Sequence, residues 1–207
     1  MNWEVPDGWL WKPISESLTP VRAHAKPDDI HDDWLYVGLE HVQSATGEHE
    51  GVEAGTAGIK SNKFVFEAGD VLYGKLRPNL RKCVVARTGG VCSMDLVPLR
   101  PVDPDAAHFI ALQLRSEPFT ASVMRMIGGA NLPRINVKDL FTLSLPAPPA
   151  AELQRLYSVA RSFDALREKK KAFEAAVKDV ELAATAAVLG LTEEDGPKFR
   201  AVATTSA

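Results

Sequence analysis

Long hydrophobic runs are missing from this sequence of 207 residues, and cysteine occurs only twice. A bilayer span takes roughly 20 consecutive apolar residues, and because no run approaches that length we expect no membrane segment. The opening MNWEVPDGWLWKP has acidic residues and prolines where a secretory signal needs a positive end and an apolar core. Cys83 and Cys92 make no disulfide framework, and we expect two small buried residues rather than a bridge across a hairpin. These absences predict a cytoplasmic protein.

Catalytic signatures are also lacking. The sequence contains no Gly-rich phosphate loop, no serine or cysteine nucleophile in a recognised setting, and no Asn/Asp-Pro-Pro-aromatic motif of amino-methyltransferases. One segment holds several metal-ligating residue types, which we interpret as a solvated acidic loop rather than a metal site. Its members are His24, Asp28, Asp29, His31, Asp32 and Asp33. The sequence therefore predicts a non-enzymatic protein without a cofactor or metal of its own.

A net positive charge is lacking, since the formal net charge is −3, but the basic residues are concentrated in one stretch. Residues 1–59 carry 3 basic and 11 acidic side chains, a net −8, whereas residues 60–100 carry 8 basic and 3 acidic, a net +5. Such a distribution predicts one basic patch on an otherwise acidic protein.

Short strands separated by turns are predicted before residue 148, with helical pieces at residues 106–115 and 118–126. Strands are expected at residues 34–39, 63–66, 71–73 and 141–145. Thr88-Gly89-Gly90 predicts a hairpin between its two flanking strands. The prolines of residues 96–101 predict an edge strand. Residues 43–62 are polar and glycine-rich, which is typical of a functional or disordered loop.

The Pro146-Ala147-Pro148-Pro149 segment predicts a domain boundary, and a regular heptad pattern follows it. With Leu156 as an a position, ten of the eleven a and d positions up to residue 191 are apolar, which is typical of a coiled coil. The expected pairing residues are Leu156, Val159, Phe163, Leu166, Lys170, Phe173, Val177 and Val180. The alternative is a helix folded back on its own domain. We predict an α+β fold, with a mixed α/β domain at 1–148, a long coiled-coil-forming helix at 149–190 ended by Gly190, and a tail at 191–207.

Basic and amide side chains cluster in two segments that suit nucleic acid. Guanidinium groups donate in pairs to phosphate oxygens or to a guanine edge, and asparagine pairs similarly with adenine. The first cluster comprises Lys75, Arg77, Asn79, Arg81 and Lys82, and the second comprises Asn131, Arg134 and Asn136. The alternatives are a merely solvated basic surface for the first cluster and asparagines that cap turns for the second.

Several motifs resemble the specificity subunits of Type I restriction-modification systems. VPDGWLWKPISE, GDVLYGKLRPNLRK, CSMDLVPLRP and IGGANLPRINVKDLFTLSLP occur in the family's order and spacing. LPAPPAAELQRL resembles the Pro-Pro-x-x-Glu-Gln element that opens the family's helix, except that Leu153 separates Glu152 from Gln154.

The resemblance implies a protein that reads double-stranded DNA and leaves catalysis to partners. Full family members join two recognition domains by two antiparallel helices, on which methyltransferase subunits dock. Those subunits bind S-adenosylmethionine and methylate adenine, and restriction (motor) subunits join through them. With one recognition domain and one helix, this chain resembles a half-length form that reads half of a bipartite site and forms a homodimer. The alternative from another class is a protein-binding adaptor that acts through its coiled coil.

Overall fold

A computed structural model describes residues 4–127 and 132–189, with the backbone alone at 186, 187 and 189. The predicted α+β class is confirmed: a strand-rich domain precedes one long helix. Within these residues the strands are β1 (Leu10–Pro13), β2 (Leu18–Pro20), β3 (His24–Ala25), β4 (Leu35–Val37), β5 (Val52–Glu53), β6 (Lys63–Phe66), β7 (Val71–Gly74), β8 (Cys83–Val85), β9 (Gly90–Cys92), β10 (Leu96–Pro101) and β11 (Ser144–Ala147). The helices are α1 (Ala107–Leu114), α2 (Glu117–Met126), α3 (Val137–Leu140) and α4 (Ala150–Leu189).

The strands form two main sheets and one small ribbon. An antiparallel four-stranded sheet has the order β2-β10-β7-β8, and a five-stranded sheet has the order β3-β6-β9-β4-β5. The second sheet is mixed because β4 runs parallel to β9. Strands β1 and β11 form an antiparallel ribbon beside these sheets.

The four-stranded sheet is buried on both faces because its strands alternate between two apolar clusters. In β7, Val71 and Tyr73 pack with residues of α1 and α2, while Leu72 packs with residues of the five-stranded sheet. Phe119 of α2 meets Tyr73 edge to face, with ring centroids 6.4 Å apart. Continuous apolar strands of this kind are expected where a sheet is covered on both sides.

The predicted hairpin around Thr88-Gly89-Gly90 is wrong. Strand β8 pairs with β7 in one sheet, whereas β9 pairs with β6 and β4 in the other. Val84 of β8 and Cys92 of β9 share one apolar cluster, Cys83 of β8 belongs to the other, and the turn between the strands carries the chain from one sheet to the other. Cys83 and Cys92 are accordingly free and buried, as expected, and burial raises the pKa of each thiol to about 12.

The predicted edge position of β10 is also wrong, since β10 lies between β2 and β7. Strand β7 pairs with Leu96 to Leu99, and β2 pairs with Leu99 to Pro101, so the two neighbours share only Leu99. Because each half of β10 is paired mainly on one side, its prolines remove few ladder bonds. The carbonyl of Pro98 still accepts a hydrogen bond from the Val21 amide at 2.9 Å.

The glycine-rich segment 43–62 has regular structure in part, as it contains β5 and a 3-10 turn at Ala54–Thr56. Gly47 has a φ of +84°, and a Cβ atom there would lie 2.7 Å from the Arg115 guanidinium. That guanidinium is buried and donates to the Cys83 carbonyl at 2.8 Å. A side chain at position 47 would displace it, so glycine is required for this close approach.

Strand β11 and helix α4 follow one another closely at the proline-rich segment. Pro146 and Ala147 lie within β11, and α4 begins at Ala150. Compact packing groups Met1–Asp164 as one unit, and a second unit begins at Ala165. The start of α4 thus belongs to the first unit, where Tyr157 and Ala160 are buried. The rings of Tyr157 and Phe109 lie with their centroids 5.8 Å apart and are tilted by 46°. The boundary after residue 148 stays a prediction.

The remaining predicted strands and helices are confirmed within one to three residues at their ends. Ser116 caps α2 by accepting a hydrogen bond from the Phe119 amide. In the described residues no helix is both long and apolar enough to cross a membrane. Gly128, Gly129, Gly190 and the tail at 191–207 lie outside the described residues.

Candidate nucleic-acid interface

The basic loop after β7 is built around a short 3-10 turn, Pro78–Leu80. Arg77 and Arg81 stand at its two ends with φ of 50° and 54°, in the left-handed region that non-glycine residues seldom adopt. Each such residue costs on the order of 1 kcal/mol, and this kind of strain clusters at functional sites. Asn79 lies exposed within the same turn.

The structure brings the two predicted basic segments together. Leu76 and Arg134 form an isolated antiparallel bridge. The Arg77 amide donates to the Pro133 carbonyl at 2.7 Å, and the Ile135 amide donates to the Lys75 carbonyl at 3.1 Å. Backbone hydrogen bonds therefore hold segments that lie more than fifty residues apart in one surface, which we call the basic surface and define as residues 75–82 and 133–136.

Two of its arginines form ion pairs with carboxylates that sequence reasoning missed. Arg134 Nη2 lies 2.6 Å from Asp95 Oδ1, and Arg81 Nη1 lies 2.9 Å from Glu117 Oε1. Partly exposed pairs of this kind contribute about 0–1 kcal/mol, and each leaves further guanidinium N–H groups that can donate to a phosphate or base edge. Arg77 is exposed and makes no side-chain ion pair within the described part of the chain.

The two lysines of the first segment are less available than the arginines. Lys82 Nζ donates to the Leu39 carbonyl at 2.9 Å, which ties the loop to a neighbouring 3-10 turn. Lys75 Nζ lies 5.5 Å from the centre of the Phe64 ring. Burial lowers the pKa of Lys75, and the nearby Arg134 guanidinium lowers it further, while Asp95 opposes both.

Of the two asparagines in the second segment, the structure describes only Asn136. Asn136 caps α3: its Oδ1 accepts from the Asp139 amide at 2.9 Å, and its Nδ2 donates to the Asp139 carboxylate. The turn-capping alternative is thus what the structure shows for Asn136, although its side chain is exposed. Asn131 lies outside the described residues.

Two further charged residues have structural roles. Arg100 donates from Nε and Nη2 to the two carboxylate oxygens of buried Asp70, at 2.9 and 3.0 Å. Arg115 is buried and donates to the Cys83 carbonyl.

Among the described residues no three histidine, cysteine or acidic side chains are grouped to hold a metal ion.

Most of the residues predicted to pair through helix α4 are exposed. Leu153, Tyr157 and Ala160 lie on the face that packs on the first unit. Val159 and Phe163 lie on the adjacent a/d face and are exposed. In the second unit Leu166, Phe173 and Val180 are 63%, 69% and 67% exposed. Lys170 pairs with Glu174 one turn along its own helix, at 3.5 Å.

The chain is similar to known proteins both in sequence and in fold. No family model matches the sequence. The Type I restriction enzyme EcoDI specificity subunit from Escherichia coli is 28% identical over 150 residues, which cover 72% of this chain and 33% of that subunit. The chain is therefore similar in sequence to a specificity subunit over 72% of its length.

Solved structures extend the similarity to the fold. The HsdS subunit from Thermoanaerobacter tengcongensis matches with a TM-score of 0.61 and 23% identity, over 87% of this chain and 48% of that one. A chain from a structure of complex assembly and conformational transition of the type I R-M system matches with a TM-score of 0.58 and 23% identity, over 90% and 50%. This chain thus spans about half the length of those chains. In sequence and in fold it is similar to Type I specificity subunits, which confirms the resemblance drawn from its motifs.

Proposed function

We propose that this chain is a non-catalytic DNA sequence-recognition subunit of a Type I restriction-modification complex. The observation that carries the proposal is the convergence of two basic segments, distant in sequence, on one surface of a domain whose fold matches specificity subunits. The curated relative is named a specificity subunit, and the sequence holds no motif for methyl transfer or DNA cleavage.

The chemistry of the basic surface suits duplex DNA. Arg77, Arg81 and Arg134 offer planar donors that fit guanine edges and phosphate oxygens, and Asn79 offers an amide for adenine. Phosphate contacts supply most of the affinity, whereas base contacts supply specificity. The fixed backbone around these residues supports a specific reader rather than a diffuse basic face.

We further propose that the recognition domain reads one half of a bipartite site and that two chains pair through α4. Support comes from the exposed a/d face of that helix, which is apolar at Leu166, Phe173 and Val180. Antiparallel pairing places one recognition domain at each end, so a two-fold dimer presents the same reader twice.

Methyltransferase subunits are the proposed docking partners of the helical part, and S-adenosylmethionine belongs to them rather than to this chain. Restriction subunits join through the methyltransferase. One structural relative comes from a study of type I R-M complex assembly, which supports partners of this kind.

Selection from a randomised duplex library tests the proposal. Bound sequences are enriched at several salt concentrations, with and without methyltransferase subunits. We expect an interrupted palindrome, because two identical readers face opposite directions, and an affinity that falls steeply with salt. Single or unrelated half-sites would contradict pairing, and the absence of any salt-sensitive duplex binding would contradict recognition itself.

A protein-binding adaptor is the second candidate, and the exposed apolar face of α4 is the observation that favours it. It predicts partner binding through the helix without duplex binding. The library selection separates the two candidates, since only the recognition subunit enriches a sequence.

A further inference from the structure

Asp95 is an acidic residue held rigidly beside the basic surface. It lies on the turn between β9 and β10, where the Leu96 amide donates to the Ser93 carbonyl at 3.1 Å. The Asp95 carbonyl accepts from the Lys75 amide at 2.8 Å. Its backbone is therefore fixed to the same segment that carries Arg77 and Arg81.

Arg134 is held at both ends by this arrangement. Its backbone bridges Leu76, and its Nη2 lies 2.6 Å from Asp95 Oδ1. The Arg134 side chain is 54% exposed, whereas the Asp95 carboxylate is 32% exposed. A long side chain fixed at its base and at its tip has few rotamers left, so it loses little entropy when it contacts a ligand.

The neighbouring pair of Arg81 and Glu117 differs in this respect. Glu117 is 82% exposed and lies in the first turn of α2. Within the described residues no backbone hydrogen bond joins Glu117 to the basic loop, so this carboxylate lacks the backbone anchor that Asp95 has. Glu117 therefore serves as a matched control for Asp95.

We propose that Asp95 is a positioning residue that orients the Arg134 guanidinium toward a guanine edge, an inference that rests on the DNA-recognition function proposed above. A guanidinium has five N–H donors, and the contact with Asp95 leaves others for the O6 and N7 atoms of guanine. The carboxylate also repels phosphates, so its presence in a DNA-facing surface weakens sequence-independent affinity. Because the Asp95 carboxylate weakens that affinity, we assign its contribution to the orientation of the Arg134 guanidinium.

The test compares Asp95→Asn, Arg134→Ala, the double variant and Glu117→Gln in the full chain, by affinity for a selected duplex and its single-base variants. Asparagine keeps the size and backbone bonds of Asp95, and thermal melting checks the fold. If Asp95→Asn fails to fold, Asp95→Ser takes its place with the same expectation.

Asp95→Asn is expected to reduce the preference at one base pair about fivefold or more, while affinity for unrelated duplex stays equal or rises. Arg134→Ala should lose preference at that same base pair, and the double variant should lose no more than Arg134→Ala alone. Glu117→Gln should leave that base pair's preference unchanged.

Three results overturn the inference while leaving DNA recognition in place. They are an unchanged base preference in Asp95→Asn, a change at a base pair that Arg134→Ala does not affect, and an equal loss in Glu117→Gln. A wild-type chain without salt-sensitive duplex binding would instead overturn the proposed function, and this inference with it.

Discussion

Arg77 and Arg81 flank one turn in matching left-handed conformations, which directs both side chains from a single rigid loop. We expect Arg77→Ala and Arg81→Ala each to weaken DNA binding by about 1–3 kcal/mol where the contact is to a base. Where the contact is to a phosphate, each should lower the salt slope by roughly one unit and leave sequence preference unchanged.

Arg161→Ala is the matched control, because Arg161, like Arg81, is an arginine paired with an exposed carboxylate: its Nη1 lies 2.7 Å from Asp105 Oδ1. It lies outside the basic surface and should bind duplex as the wild type does. A double Arg77→Ala, Arg81→Ala variant that binds normally across a salt titration would mean that DNA contacts another surface.

Lys82 was predicted to contact DNA, and the structure gives its ammonium a partner in the protein. The Nζ–Leu39 carbonyl hydrogen bond is partly buried and charge-assisted. We expect Lys82→Gln to reduce the free energy of unfolding by about 1–2 kcal/mol, with a smaller effect on DNA binding than Arg77→Ala. Urea denaturation and gel shift measure the two effects. A variant of native stability with strongly weakened binding would restore the direct DNA role.

Helix α4 is partly buried near its start and mostly exposed along the rest of its described length. Near its start, α4 buries Tyr157 and Ala160, so the alternative of a helix packed on its own domain holds for its first turns. Between Ala165 and Ala184 its a and d residues are exposed. A truncation at Pro149 would remove core residues, and a chain that ends after Asp164 is the better monomeric reference.

We expect the intact chain to form an antiparallel homodimer through the exposed part of the a/d face. Leu166→Glu and Phe173→Glu each place a charge in that apolar seam and should shift the chain to monomer. Ala175→Glu, at an exposed position outside the seam, should leave the dimer intact. Light scattering at tens of micromolar, with and without methyltransferase subunits, measures the mass. An intact chain that is monomeric in both conditions would contradict helical pairing.

At the scale of the whole molecule, recognition and catalysis are expected to reside in different chains. The purified protein should neither bind S-adenosylmethionine nor methylate or cleave DNA, since its sequence has no cofactor loop and no positioned catalytic group. Isothermal titration with the cofactor checks this directly. A saturating heat with one site per chain would contradict a recognition role without catalysis.

Local and periodic features of the molecule were predictable from the sequence alone. The 3.5-residue pattern after Pro149 predicted the long helix, and alternation predicted strand β6. The concentration of charge at residues 60–100 located the first half of the basic surface. These features follow from neighbouring residues, whose spacing sets their face and charge.

Only the tertiary structure decided how the segments meet. The Gly-Gly turn reads as a hairpin because hairpin propensity is local, yet β8 and β9 enter different sheets, where β8 pairs with β7 and β9 pairs with β6 and β4. The join between Leu76 and Arg134, and the contact of Asp95 with Arg134, link residues 39 or more positions apart. No periodicity encodes such pairs, since they arise when packing of the two sheets and helices brings separate loops to one surface.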